Sequence, residues 1–131
     1  MQFENEDVAL LLNGQDSVRD SYLESLFARE IDYRLVVELD FYVPRSTIGN
    51  YYHLTLRDVT DMEYTFYKSN IATQIPFVKC LWTPESEFYL SLDPWMESER
   101  FISDQDAGYF RAKHARLEAS HRQVPEGATF C

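Results

Sequence analysis

The chain has 131 residues, 45% of them apolar and 15% aromatic. That suggests one domain that buries about two thirds of its unfolded surface, and it excludes a disordered protein. Its 22 acidic residues outweigh 12 basic ones, for a formal charge of -10. Such a surface repels phosphate backbones and anionic lipid, so neither nucleic acid nor membrane is an expected partner, whereas a basic protein would be attracted.

The opening segment, residues 1–7, is acidic and does not read as a leader, and no apolar stretch approaches the ~20 residues of a membrane span. The expected location is the cytoplasm. Asn5 can cap a short helix, with Glu6 and Asp7 in its first turn, residues 8–12 as its body and Gly14 as its stop. Residues 21–31 alternate as a strand through Leu23, Ser25, Phe27, Arg29 and Ile31. Helical spacing through Tyr22, Leu23, Leu26 and Phe27 competes with it. A strand turning near Ile31 and Asp32 is the expectation.

The strongest pattern covers residues 33–43. Tyr33, Leu35, Val37, Leu39, Phe41 and Val43 occupy alternate positions, between Arg34, Val36, Glu38, Asp40 and Tyr42. Strand side chains alternate between faces, so this is a strand with a dry and a wet side, in an antiparallel sheet. Turn residues 44–50 lead to a second strand, 51–59, with Tyr52, Leu54 and Leu56 facing one way and His53, Thr55 and Arg57 the other. A kink or turn is expected at 58–61, a further strand at 63–68 and a loop at 69–76. Residues 77–83 and 88–92 form a hairpin. Residues 95–100 read as an irregular acidic connection. Ser103 to Asp106 resembles a capping box for one helical turn. A final strand follows over 109–117, with a helix to Ala119 as its competitor. Residues 120–131 read as a loose tail on a domain spanning 1–119.

The fold expectation is therefore mainly β: an antiparallel curled sheet, or a small barrel or sandwich, of six or seven strands with a short N-terminal helix.

Chemistry-bearing patterns are sparse. His53, His114 and His121 lack the close spacing of a zinc enzyme, and no Gly-x-Ser-x-Gly elbow occurs. Cys80 reads as a small buried hydrophobe, and Cys131 has no evident partner. No catalytic, cofactor-binding or metal-ligating residue is expected. Between positions 85 and 106, Glu85, Glu87, Asp93, Glu97, Glu99, Asp104 and Asp106 face a single base, Arg100. They read as a solvated rim, a contact for a basic protein, or paired carboxylates for acid–base work. Arg111, Lys113, Arg116 and Arg122 form the opposite pole, able to pair with the acidic segment. Aromatic residues alternate too, and Tyr42, Tyr51, Tyr67 and Tyr89 fall on the second face. They are either half-buried beneath the N-terminal helix or a recognition surface. The expected partner-binding residues are Tyr42, Tyr51, Tyr67, Tyr89, Glu85, Glu87, Asp93 and Trp95.

The segment 20–26, the long alternating strand and the run Tyr52-His53-Leu54-Thr55-Leu56-Arg57-Asp58-Val59 together resemble small acidic bacterial β-domains. Phe88-Tyr89-Leu90-Ser91-Leu92-Asp93-Pro94 and Ile102-Ser103-Asp104-Gln105-Asp106 are similar as well. Some of these domains are uncharacterised, and others are classed as immunity proteins of polymorphic toxin systems. The histidine that usually precedes their opening aspartate is Arg19 here. The resemblance spans residues 20–118. It implies a non-enzymatic binding role and supports a strand over 109–117, but it carries over no functional residue.

Three expectations follow. The first is a non-catalytic protein-binding domain, of immunity type, that masks a basic partner. The second is a small-molecule-binding β-domain or enzyme with an aromatic-lined cavity. The third is a homodimer sealed by a strand edge or the tyrosine face.

Overall fold

The computed structural model describes residues 1–64 and 73–123. In chain order the elements are β1 (Gln2–Glu4), α1 (Glu6–Leu12), β2 (Ser21–Ile31), β3 (Arg34–Tyr42), β4 (Tyr51–Glu63), β5 (Thr73–Ile75), β6 (Lys79–Trp82), β7 (Phe88–Asp93) and β8 (Ala107–Ser120). They build one curled, half-barrel antiparallel sheet in the order β5-β2-β3-β4-β8-β7-β6, with β1 paired to β8 off this path.

Alternation in β3 sets the inner wall. Val37, Leu39 and Phe41 are fully buried. They lie opposite Leu56, Leu54 and Tyr52 of β4, which in turn face Ala115, Leu117 and Ala119 of β8. Val8, Ala9 and Leu12 of α1 join this same buried cluster. A helix of seven residues is too short to hold itself. Asparagines at its two ends tie it to strands. Asn5 exchanges two hydrogen bonds with the Ala115 backbone, and Asn13 Nδ2 donates to the Cys80 carbonyl at 2.8 Å.

Two bulges re-sort the faces. In β2 the register slips between Leu23 and Ser25. Up to Leu23 the odd-numbered residues face inward. Beyond Glu24, Leu26 and Ala28 oppose Leu39 and Val37, so Ser25, Phe27, Arg29 and Ile31 face outward. In β4 the positive φ of Asp58 and a register shift between Val59 and Asp61 lengthen the inward step. Inward residues go from Leu56 to Val59 on β4, and from Ala115 to Ala112 on β8 at the same level. Both strands change face together, and bulges of this kind bend a ribbon and increase its twist.

The differences from the sequence reading have physical reasons. Tyr33 is not an inward residue of β3. It occupies the β2–β3 turn with Asp32, both at positive φ as a tight hairpin requires, and is 97% exposed. Residues 58–61 bulge without breaking the strand, and Glu63 ends β4. The rest of the expected 63–68 strand lies outside the described residues, apart from Tyr64. The expected loop at 69–76 contains β5, which pairs with Ser21–Leu23. The Asn5 side chain does not cap the helix, because Ala115 takes its oxygen. Residues 103–106 form a turn without a helix, with the Asp106 carboxylate accepting from the Ser103 amide at 3.2 Å. β1 was not foreseen. The final strand runs past 117 to Ser120, and most of the expected tail, 124–131, lies outside the described residues.

Candidate functional site

The outward face of β2, β3, β4 and β8 is ruled into rows by the register. One row is Tyr22, Tyr42, Tyr51 and Ser120. The next is Ser25, Asp40, His53 and Glu118, followed by Phe27, Glu38, Thr55 and Arg116. Asp40 is the hub. Its Oδ1 accepts from Tyr51 Oη at 2.5 Å and lies 2.6 Å from His53 Nδ1, while its Oδ2 accepts from Ser25 Oγ at 2.6 Å. Burial pushes the Asp40 carboxyl up, but the bonds from Ser25, Tyr51 and His53 outweigh it and hold the group below its ordinary value. Burial, together with the bond to and the charge of Asp40, pushes the Tyr51 phenol up to about 12.

Around the hub the charges answer one another. Arg122 grips Glu24 through 2.7 and 2.8 Å contacts and lies over the Tyr51 ring at 4.7 Å. Arg29 pairs with Glu38 at 3.5 Å, and His53 Nε2 lies 3.7 Å from the same carboxylate. A serine, a histidine and an aspartate thus meet here, but the carboxylate is central and takes the serine hydroxyl itself. Nucleophile activation needs the imidazole between the other two. Chemically this is a pre-ordered hydrogen-bonding surface.

The second surface is the β7–β8 connection, residues 94–106, which folds back over the outward side of β6 and β7. Lys79 is wholly buried beneath it. Its Nζ lies 2.8 Å from Asp106 Oδ2 and 3.2 Å from Glu99 Oε1, and donates to the Phe101 carbonyl at 3.0 Å. Asp106 also accepts from Tyr89 Oη at 2.7 Å and from the Trp95 amide at 2.9 Å. Burial pushes the Asp106 carboxyl up. The bonds from Lys79, Tyr89 and the backbone amides of Trp95 and Ser103 overcome this and hold it low. Glu97 accepts from the Val78 amide at 2.8 Å and pairs with Arg19 at 3.4 Å, so the loop also runs along the β6 edge.

These two surfaces divide the expected site. Tyr42 and Tyr51 are neighbours on the outward sheet face, opposite the side that α1 covers, so they do not lie beneath the helix. Tyr89 is not a surface residue. It is 1% exposed, because the 94–106 connection covers its side of β7. Tyr67 lies outside the described residues. Glu85 is exposed at the tip of the β6–β7 hairpin. Glu87 is turned onto Arg111 at 3.1 Å and accepts from Thr60 Oγ1 at 3.2 Å. Asp93 and Trp95 are exposed at the base of the connection. Part of the acidic segment therefore pairs within the chain.

Sequence reasoning missed the roles of Asp40, His53, Lys79 and Asp106. A lone lysine inside the apolar run 77–82 was the available signal for a buried ion pair. The Asp40–His53 contact needed the hairpin register.

Elsewhere, two open clefts of about 480 Å³ each flank the Arg34–Asp58 pair, one against Ile31, Arg57 and His114 and the other against Tyr33, Val59 and Lys113. The inward side of the sheet is filled by buried rings, among them Phe41, Tyr52, Phe88 and Phe110. Cys80 is buried as expected, and burial pushes its thiol up, which keeps it unreactive. Among the described residues, no group of three or more His, Cys, Asp or Glu side chains could hold a metal ion. No helix among them is long and apolar enough to cross a membrane.

No family model, curated protein or solved structure matches the chain.

Proposed function

We propose that this chain is a non-catalytic, cytoplasmic protein-binding domain of immunity type, whose partner is basic and is masked by an acidic surface. One observation carries the reading: most of the cations are engaged in ion pairs within the chain itself. Arg19, Arg29, Arg34, Lys79, Arg111, Arg116 and Arg122, seven of the twelve lysine and arginine side chains, engage carboxylates of the same molecule. Each such pair cancels locally, so the surplus of negative charge is left to face outward. A surplus of that sign speeds encounter with a positive surface and repels polyanions.

The test is co-expression with the product of the adjacent gene, followed by association kinetics at low and high salt. The expected result is a stable complex whose on-rate falls as salt rises. The absence of a complex, or an on-rate indifferent to salt, contradicts the reading.

A further inference from the structure

The connection between β7 and β8 uses thirteen residues, 94–106, to join adjacent antiparallel strands. A short turn suffices for that job, and irregular loops of this length are uncommon and usually functional. Its anchor is also unusual. Lys79 and Asp106 have no exposed side-chain surface, and every oxygen of the Asp106 carboxylate has a donor. A buried ion pair adds little stability over apolar packing of the same volume, so its effect here is positional. It fixes the path of the loop.

Held on that path, the loop turns its largest apolar side chains into solvent. Trp95, Met96 and Phe101 are 62%, 50% and 61% exposed. Phe77, where the chain enters β6, is exposed under the Arg19 guanidinium, which also reaches Glu97 of the loop. Tryptophan, methionine and phenylalanine are residue types enriched at interface centres, and grouped exposure of them marks interaction sites. The outward sheet face differs, since its charged and hydroxyl groups already satisfy one another. Acidic groups border the apolar loop residues: Asp93 and Asp104 are exposed, Glu97 and Glu99 are half-buried, and Arg100 is the sole cation of the 94–106 stretch.

We propose that this loop, together with Phe77, is the docking surface, and that it receives an amphipathic segment of a partner protein with Lys or Arg flanking an apolar stripe. The proposal rests on the protein-binding reading above and assigns it a location. Apolar side chains of the segment would cover Trp95, Met96 and Phe101, while its cations would meet the exposed Asp93 and Asp104.

The probe is a synthetic amphipathic helix of Leu and Lys, titrated into the full chain. Amide shifts and tryptophan emission, to which Trp82 and Trp95 both contribute, are followed, with the Trp95→Ser variant as the reference that isolates the Trp95 share. Shifts confined to residues 77 and 94–106, with a blue-shifted emission, are expected. Affinity should fall by roughly tenfold or more in Trp95→Ser with Phe101→Ser, and hold in Tyr33→Ser at the far hairpin. Both variants alter exposed side chains, and unchanged urea midpoints confirm their folding. Shifts that map instead to Tyr42 and Tyr51, or an affinity untouched by the loop substitutions, overturn the loop assignment and leave the acidic binding domain standing. No binding at any salt concentration removes both.

Discussion

Replacing Lys79 by Met removes the only cation among the described residues that touches the Asp106 carboxylate, while keeping the length and apolar stem of the side chain. Asp106 then stays buried with three donors, Tyr89 Oη at 2.7 Å and the Trp95 and Ser103 amides at 2.9 and 3.2 Å, but with no countercharge among the described residues. Glu99 loses the same partner. Breaking a buried pair from one side costs about 3–5 kcal/mol. The three surviving donors place Lys79→Met at the lower end, about 3 kcal/mol. Small domains hold about 5–15 kcal/mol in all. With a urea slope of about 1–3 kcal/mol per molar, the midpoint should drop by about 1–3 M. Hydrogen exchange at the Trp95 and Ser103 amides should quicken beyond the global change, because their acceptor is no longer pinned. A midpoint shift below about 0.5 M, with both amides as protected as before, refutes the claim that this pair holds the loop.

Acid should weaken the fold in a defined window. Asp40 and Asp106 are held below the ordinary carboxyl value of 3.8 in the folded chain. The unfolded chain therefore takes up protons first as pH falls, and the stability these groups contribute is complete above about pH 5 and lost progressively below about pH 4. Urea midpoints between neutral and acid pH should show this, with a shallower fall in Asp40→Asn. Gly49→Ala should be strongly destabilising, by about 2 kcal/mol or more, since φ there is +144° and a Cβ would come within 2.5 Å of the Ser120 carbonyl oxygen; thermal melting reads it out. Tyr52→Phe should cost about 1–2 kcal/mol in urea. Its buried hydroxyl donates to the Asp16 carbonyl at 2.8 Å and bonds Ser46 Oγ at 2.6 Å, so one or both partners lose a bond.

The sheet was legible where one face is oil and the other is water. β3 alternates over Val37 to Val43, after an apolar and buried Val36 on the other side, and β4 over Tyr51 to Arg57, so their faces followed from period two. The reading failed where a backbone slip altered the count. Nothing in the composition of 21–31 announces the extra residue at Glu24, and Phe27 looks like a core residue until the register is known. Tyr89 failed for another reason. Alternation tells which side of a strand a residue takes, not what later covers that side, and the covering loop is distant from β7's own pattern. The Lys79–Asp106 pair joins a strand to a loop 27 positions away, a long-range contact that no local pattern encodes. Tyr42, Tyr51, Asp93, Trp95 and Glu85 do lie at or near the surface, as side chains on wet faces and in connections should.

The slip at Glu24 makes this the one place in β2 where a residue could be lost without turning the strand over. Glu24 lies between two intact pairs, Leu23 opposite Phe41 and Ser25 opposite Asp40, so its removal would let 25 follow 23 in plain alternation, with Leu26 and Ala28 still against Leu39 and Val37. The loss would be local: the bend that the extra residue puts into β2, and the carboxylate that Arg122 grips. A deletion one or two positions later has no such slack, and every side chain on one side of the cut would trade places with its neighbour.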